Sequence, residues 1–115
     1  MKPGASLKEQ MRILGKTVAK EAHARQSQAV AATAFQLYAL THKAMQQRMT
    51  KQNAIIYRRM ARELIRFVPA KKLPMPPGQF VRVLDALISG LLATYFQTPE
   101  LITEDVFVSA FEVLA

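Results

Sequence analysis

The chain has 115 residues, half of them hydrophobic, and a net charge of +8. A chain this long and this apolar forms one folded domain, residues 1–115, and is not a disordered tail. There is no cysteine, which excludes a disulfide framework, cysteine zinc sites and thiol catalysis, and fits a reducing, cytoplasmic setting.

Met1–Ala5 reads as a short flexible lead. Ser6-Leu7-Lys8-Glu9 is a capping box: a serine with a glutamate three residues on, just before an apolar repeat. The helix it opens runs to about Ala24. Leu7, Met11, Leu14, Val18 and Ala22 give one apolar stripe, and Lys8, Arg12, Lys16 and Lys20 a basic row. Like charges four residues apart repel slightly, so the row is either solvated or faces an anion.

A second helical segment runs from Ser27 to about Thr50, with Val30, Ala34, Leu37, Tyr38, Thr41, Met45 and Met49 along one side. The polar run from His23 to Gln28 favours a break before it. The third segment, Gln52–Val68, carries Ile56, Met60, Leu64 and Phe67 as its stripe, with Tyr57, Ile65 and Val68 beside it. Arg58, Arg62 and Arg66 recur every four residues on another face. Pro69 ends it, because a residue before proline avoids the helical region. Residues 69–78 hold five of the chain's ten Gly and Pro, so they form a stiff loop with Leu73 and Met75 packed beneath.

Gln79–Phe96 is the central helix. Phe80, Leu84, Leu87 and Leu91 form one stripe; Val81, Ile88, Leu92 and Tyr95 form another. A helix apolar on two sides is either a core helix or one shared between its own core and a second subunit; a small domain favours the second. Gly90 costs a helix interior about 1 kcal/mol relative to alanine, and is tolerated where another backbone comes close. Asp85 follows Arg82 by three residues and is expected to pair with it. Both charges interrupt the apolar run, which argues against a membrane span. Thr103 then caps a last helix with Glu104 and Asp105 in its first turn; Phe107 and Phe111 mark one of its apolar lines. No strand pattern is present. The expected fold is all-α, a bundle of about five helices.

Charge is uneven along the chain. Residues 1–72 hold 15 Lys/Arg and 3 Asp/Glu, a balance of +12; residues 73–115 hold 1 and 5, a balance of −4. A basic half joined to an acidic, apolar half suggests one end for an anion and the other for protein contacts. His23 and His42 lie far apart with no carboxylate at ligand spacing, so no metal site is expected. No nucleophile–base pair or glycine-rich phosphate loop appears; neither an enzyme nor a cofactor is expected.

Leu84-Asp85-Ala86-Leu87-Ile88-Ser89-Gly90-Leu91-Leu92, followed by Thr98-Pro99-Glu100 and a short Phe/Val/Leu helix, resembles the end of TetR-type bacterial transcriptional regulators. Ala34–Val68 looks like that family's middle helices, which surround an effector pocket. The resemblance implies a TetR C-terminal-domain-like fold whose last two helices pair with a second subunit. The doubled apolar stripes and Gly90 give the candidates for that homodimer interface: Leu84, Leu87, Ile88, Gly90, Leu91, Leu92, Phe107 and Phe111. Helical spacing puts Tyr38, His42 and Met45 on one face and Tyr57, Met60 and Leu64 on another; with Phe35, and closed by Leu84 or Leu87, they are expected to line a pocket for a small, mostly apolar effector, the alternative being a plain core. The family's N-terminal helix-turn-helix is absent from these residues, so DNA would be reached only through a missing N-terminal unit. A second reading stays open: a basic helical module that binds nucleic acid or an anionic surface through its lysine and arginine rows.

Overall fold

Ser6 ends the lead and starts α1, Leu7–Ala24, by accepting a hydrogen bond from the Glu9 amide at 3.2 Å. The computed structural model describes residues 1–115: α1; α2, Ala29–Thr41; α3, Lys43–Phe67; α4, Pro77–Gln97; and α5, Glu104–Glu112, with single 3-10 turns at Gln26–Gln28 and Ala70–Lys72. The chain is helical throughout, without strands.

Half of the capping box forms. The Glu9 carboxylate lies 3.9 Å from Lys2 Nζ, and no hydrogen bond returns it to the Ser6 amide. The lead is also more tied down than its composition suggests. The Gln10 side chain is wholly buried; its oxygen accepts from the Lys2 amide at 2.8 Å, and its nitrogen donates to the Lys2 carbonyl. A buried amide needs both partners, and the first turn of the chain supplies them.

The core is a nine-residue cluster: Met11, Val18 and Ala22 of α1, Leu64 of α3, Phe80, Val81 and Leu84 of α4, and Phe107 and Phe111 of α5. α1 and α5 run antiparallel at close range. Gly15 makes this possible: a Cβ there would stand 2.9 Å from Val108 Cα and 3.2 Å from the Phe107 carbonyl oxygen. Arg12 Nε meets Glu112 at 3.1 Å across the same pair. α3 and α4 run antiparallel beside them, with Leu73 and Met75 of the connecting loop packed against the cluster.

The expected break near Thr50 is not where the chain turns. α3 passes through residues 50–52 unbroken, and the Thr50 hydroxyl is absorbed by the Gln46 carbonyl at 2.8 Å. The break is at His42, which is extended at φ −125° and ψ 97°. Its ring stacks on Tyr38 at 3.5 Å, and Nδ1 donates to the Tyr38 carbonyl at 2.6 Å. The Gln46 amide takes the Leu40 carbonyl at 3.0 Å. These bonds satisfy carbonyls that a helix end leaves open.

α2 is the odd element. It is mostly apolar, yet only Ala39 is buried. Val30 is 80 % exposed, Leu40 69 % and Leu37 60 %. The stripe expected on its Val30–Leu37–Tyr38 side therefore has nothing to pack against within the chain. The molecule is a slab of 41 × 35 × 19 Å with a radius of gyration of 15.1 Å, above the roughly 13 Å of a compact domain of this length. Its thin dimension is about two helix diameters. Only 13 residues are buried.

α4 is long and apolar enough to cross a membrane by length and composition, with a mean hydropathy of 1.3. Phe80, Val81 and Leu84 nevertheless lie in the core, so one face is committed to helix packing.

Candidate functional site

α4 divides its surface three ways. Phe80, Val81 and Leu84 are core. Leu87, Ile88, Leu91, Leu92 and Tyr95 are half-buried against that core. Ala86, Ser89, Gly90, Ala93 and Thr94 are exposed. The outward face is thus the small-residue one. This corrects the expected interface: Phe107 and Phe111 are wholly enclosed by their own chain, and the little of Leu84 that is not buried lines a groove and not an outer face. Phe107 and Phe111 turn inward because α1 presents Gly15 to them. Gly90 stays outward, with nothing within 4 Å of the place its Cβ would occupy.

The residues expected to line one pocket fall in separate places. Tyr38, His42 and Met45 sit at the α2–α3 elbow, around an open hollow shared with Thr41, Lys43, Ala44 and Arg48. Phe35 is half exposed on α2. Leu87 packs against the core. Met60, Leu64 and Leu84 do come together, in an apolar groove of about 340 Å³ completed by Met1, Leu14, Phe67, Val81 and Ile88, with Arg59 and Glu63 at its edge. Tyr57 lines a different, polar cleft. The expected convergence required α2 and α3 to lie face to face. They meet end to end at His42 instead, so the groove is walled by α1, α3 and α4. Leu14, Val81 and Ile88 were legible as apolar stripe members but not as groove lining.

The polar cleft, of about 550 Å³, lies between α3 and the start of α4, among Tyr57, Arg58, Ala61, Arg62, Gly78 and Arg82. The expected Arg82–Asp85 pair does not form. The Tyr57 hydroxyl donates to Asp85 Oδ2 at 2.7 Å, while Arg82 Nη1 donates to the Gly78 carbonyl at 3.0 Å and its guanidinium stands 5.5 Å from the Tyr57 ring centre. The Asp85 hydrogen bond holds the Tyr57 phenol above its ordinary value of 10.0; burial and the Asp85 charge act in the same direction, and Arg82 opposes them.

His23 Nδ1 is 3.4 Å from the Tyr95 hydroxyl. No three His, Asp or Glu side chains stand close enough to share a metal ion.

No family model, curated protein or solved structure matches the chain.

The chain offers three surfaces: an apolar groove, an arginine cleft, and a bare small-residue face of α4. The first admits an apolar small molecule. The second admits an anion.

Proposed function

We propose that the chain is an effector-binding and dimerisation domain of the TetR type, in which α4 is shared between a ligand groove and a subunit seam. The observation that carries this is the threefold use of α4: core on one face, groove on the next through Leu84 and Ile88, and a bare small-residue face on the third. Small residues let two helix backbones approach closely, and Gly90 is the smallest of them. The exposed apolar side chains of α2 and the Ile55, Ile56 and Ile65 side chains of α3 add apolar surface for burial in an assembly.

The effector is small and mostly apolar. The groove volume lies within the range of small-molecule sites, and its lining is hydrophobic apart from Arg59 and Glu63. Two methionines, Met1 and Met60, give it an adaptable wall. A molecule seated there presses on α4 and changes how its outer face meets a partner. In a TetR-type protein that displacement alters the spacing of attached DNA readers, a shift between two populated arrangements.

The test is titration with N-phenyl-1-naphthylamine, an uncharged apolar fluorophore. The reading predicts saturable enhancement with one probe per chain, abolished in Ile88→Lys, which places a charge in the groove at a half-buried position beside the core. Equal enhancement in the variant, with its helicity unchanged, would show that the probe binds elsewhere and remove the groove from the account.

A further inference from the structure

The arginine cleft takes no part in the groove or the seam, and it shares no lining residue with the groove. Arg58 and Arg62 stand one turn apart on α3, and Arg82 faces them from α4. Like charges at this spacing repel. Surface arginines ordinarily relieve this by pairing with carboxylates. The chain contains four ion pairs, Lys2–Glu9, Arg12–Glu112, Arg25–Glu21 and Arg66–Glu63, and none uses these three guanidiniums. Asp85, three residues after Arg82, accepts the Tyr57 hydroxyl instead.

Arg82 is also held in place. One of its nitrogens is fixed on the Gly78 carbonyl and its plane lies near the Tyr57 ring, so its remaining donors are oriented before any ligand arrives. Gly78 itself contributes no side chain to the cleft wall, which leaves the space open.

We infer that this cleft binds a small molecule bearing a phosphate monoester. Guanidinium forks match the oxygens of a phosphate, and charge-assisted hydrogen bonds of that kind are about twice as strong as neutral ones. Three guanidiniums against one carboxylate give a local charge of about +2, which a phosphate dianion neutralises and a single carboxylate does not. The volume of about 550 Å³ holds the phosphate together with a small organic group. The site is concave and bounded by two helices, so it suits a compact ligand better than the strip of phosphates along a duplex.

Isothermal titration with phenyl phosphate at pH 8, where the ester is a dianion, tests this. One molecule binds per chain, with a dissociation constant below about 1 mM. Arg58→Gln and Arg62→Gln each weaken it about tenfold, since each removes charge-assisted bonds. Both residues are exposed and unpaired, so the variants fold; helicity and melting temperature verify this. Lys20→Gln, the same loss of charge on α1, leaves binding unchanged. Absence of saturation by about 10 mM, or an affinity in the two arginine variants unchanged from the parent, overturns the proposal. A random DNA duplex is the second arm. Duplex binding that falls tenfold in Arg62→Gln while phenyl phosphate gives no heat assigns the cleft to nucleic acid and overturns the small-molecule reading. These outcomes are independent of the apolar groove and of the oligomeric state.

Discussion

Gly15→Ala is the sharpest perturbation of the fold, because one methyl group meets backbone and not a movable side chain. Its carbon would lie 2.9 Å from Val108 Cα, 3.2 Å from the Phe107 carbonyl oxygen and 3.3 Å from Phe111 Cδ2. Carbon atoms rest at about 3.5–4.0 Å, so α5 must retreat by more than half an ångström along its contact with α1. Overpacking of this kind costs about 1–3 kcal/mol. Replacing glycine by alanine inside a helix returns about 1 kcal/mol. The net is a loss of up to about 2 kcal/mol, or a fall of up to about 8 °C in melting temperature for a chain of this size. Thermal denaturation followed by circular dichroism, at one fixed protein concentration, measures it. Gly90→Ala is the matched control, since its added carbon meets nothing within 4 Å in the chain. In dilute, unassociated protein it gains about 1 kcal/mol from helix propensity. A Gly15→Ala protein stabilised by about 1 kcal/mol, as Gly90→Ala is, would refute the close-packed α1–α5 seam.

Phe107→Ala removes a wholly buried ring from the core and costs about 3–5 kcal/mol, read as loss of folding in a urea titration and not merely as loss of association. Tyr57→Phe deletes the hydrogen bond to Asp85 at a cost of about 1 kcal/mol by the same urea titration. The raised Tyr57 phenol means that the folded state holds its proton more tightly than the unfolded state does. The resulting stability is present below pH 10.0 and is lost as pH rises through the folded value. Absorbance titration at alkaline pH should show a late phenol component in the parent that is missing from Tyr57→Phe. Val30→Gln with Leu40→Gln on α2 leaves the stability of dilute protein within about 0.5 kcal/mol by thermal melt, because both side chains are already solvated.

Much of the framework was legible in the sequence. The Ser6 cap, the stop at Pro69 and the proline-rich loop follow from local chemistry, which needs no tertiary partner to act. The buried trio Phe80, Val81 and Leu84 was visible as members of the two α4 stripes, although periodicity did not say which stripe faced inward. The His42 break was hidden because its cause is specific: a ring stacked on Tyr38 and bonded to that residue's carbonyl. Helical periodicity runs straight across it. That displaced elbow is why Tyr38, His42 and Met45 are far from Met60 and Leu64, and why the groove borrows Leu14 from α1. Phe107 and Phe111 read as interface because nothing in the sequence tied them to Gly15, nearly a hundred residues earlier. The arginine row on α3 was visible, but Arg66 is bound to Glu63 while Arg58 and Arg62 are left facing Arg82, a distinction that only packing makes.

The most direct test of the account is the mass of the chain in solution. Sedimentation equilibrium at tens of micromolar should give twice the 12.9 kDa chain mass, and Gly90→Gln, which sets a long side chain on the bare face of α4, should return it to a single chain with unchanged helicity. A parent protein that sediments at 12.9 kDa across that range would contradict the shared role of α4 as groove wall and subunit seam.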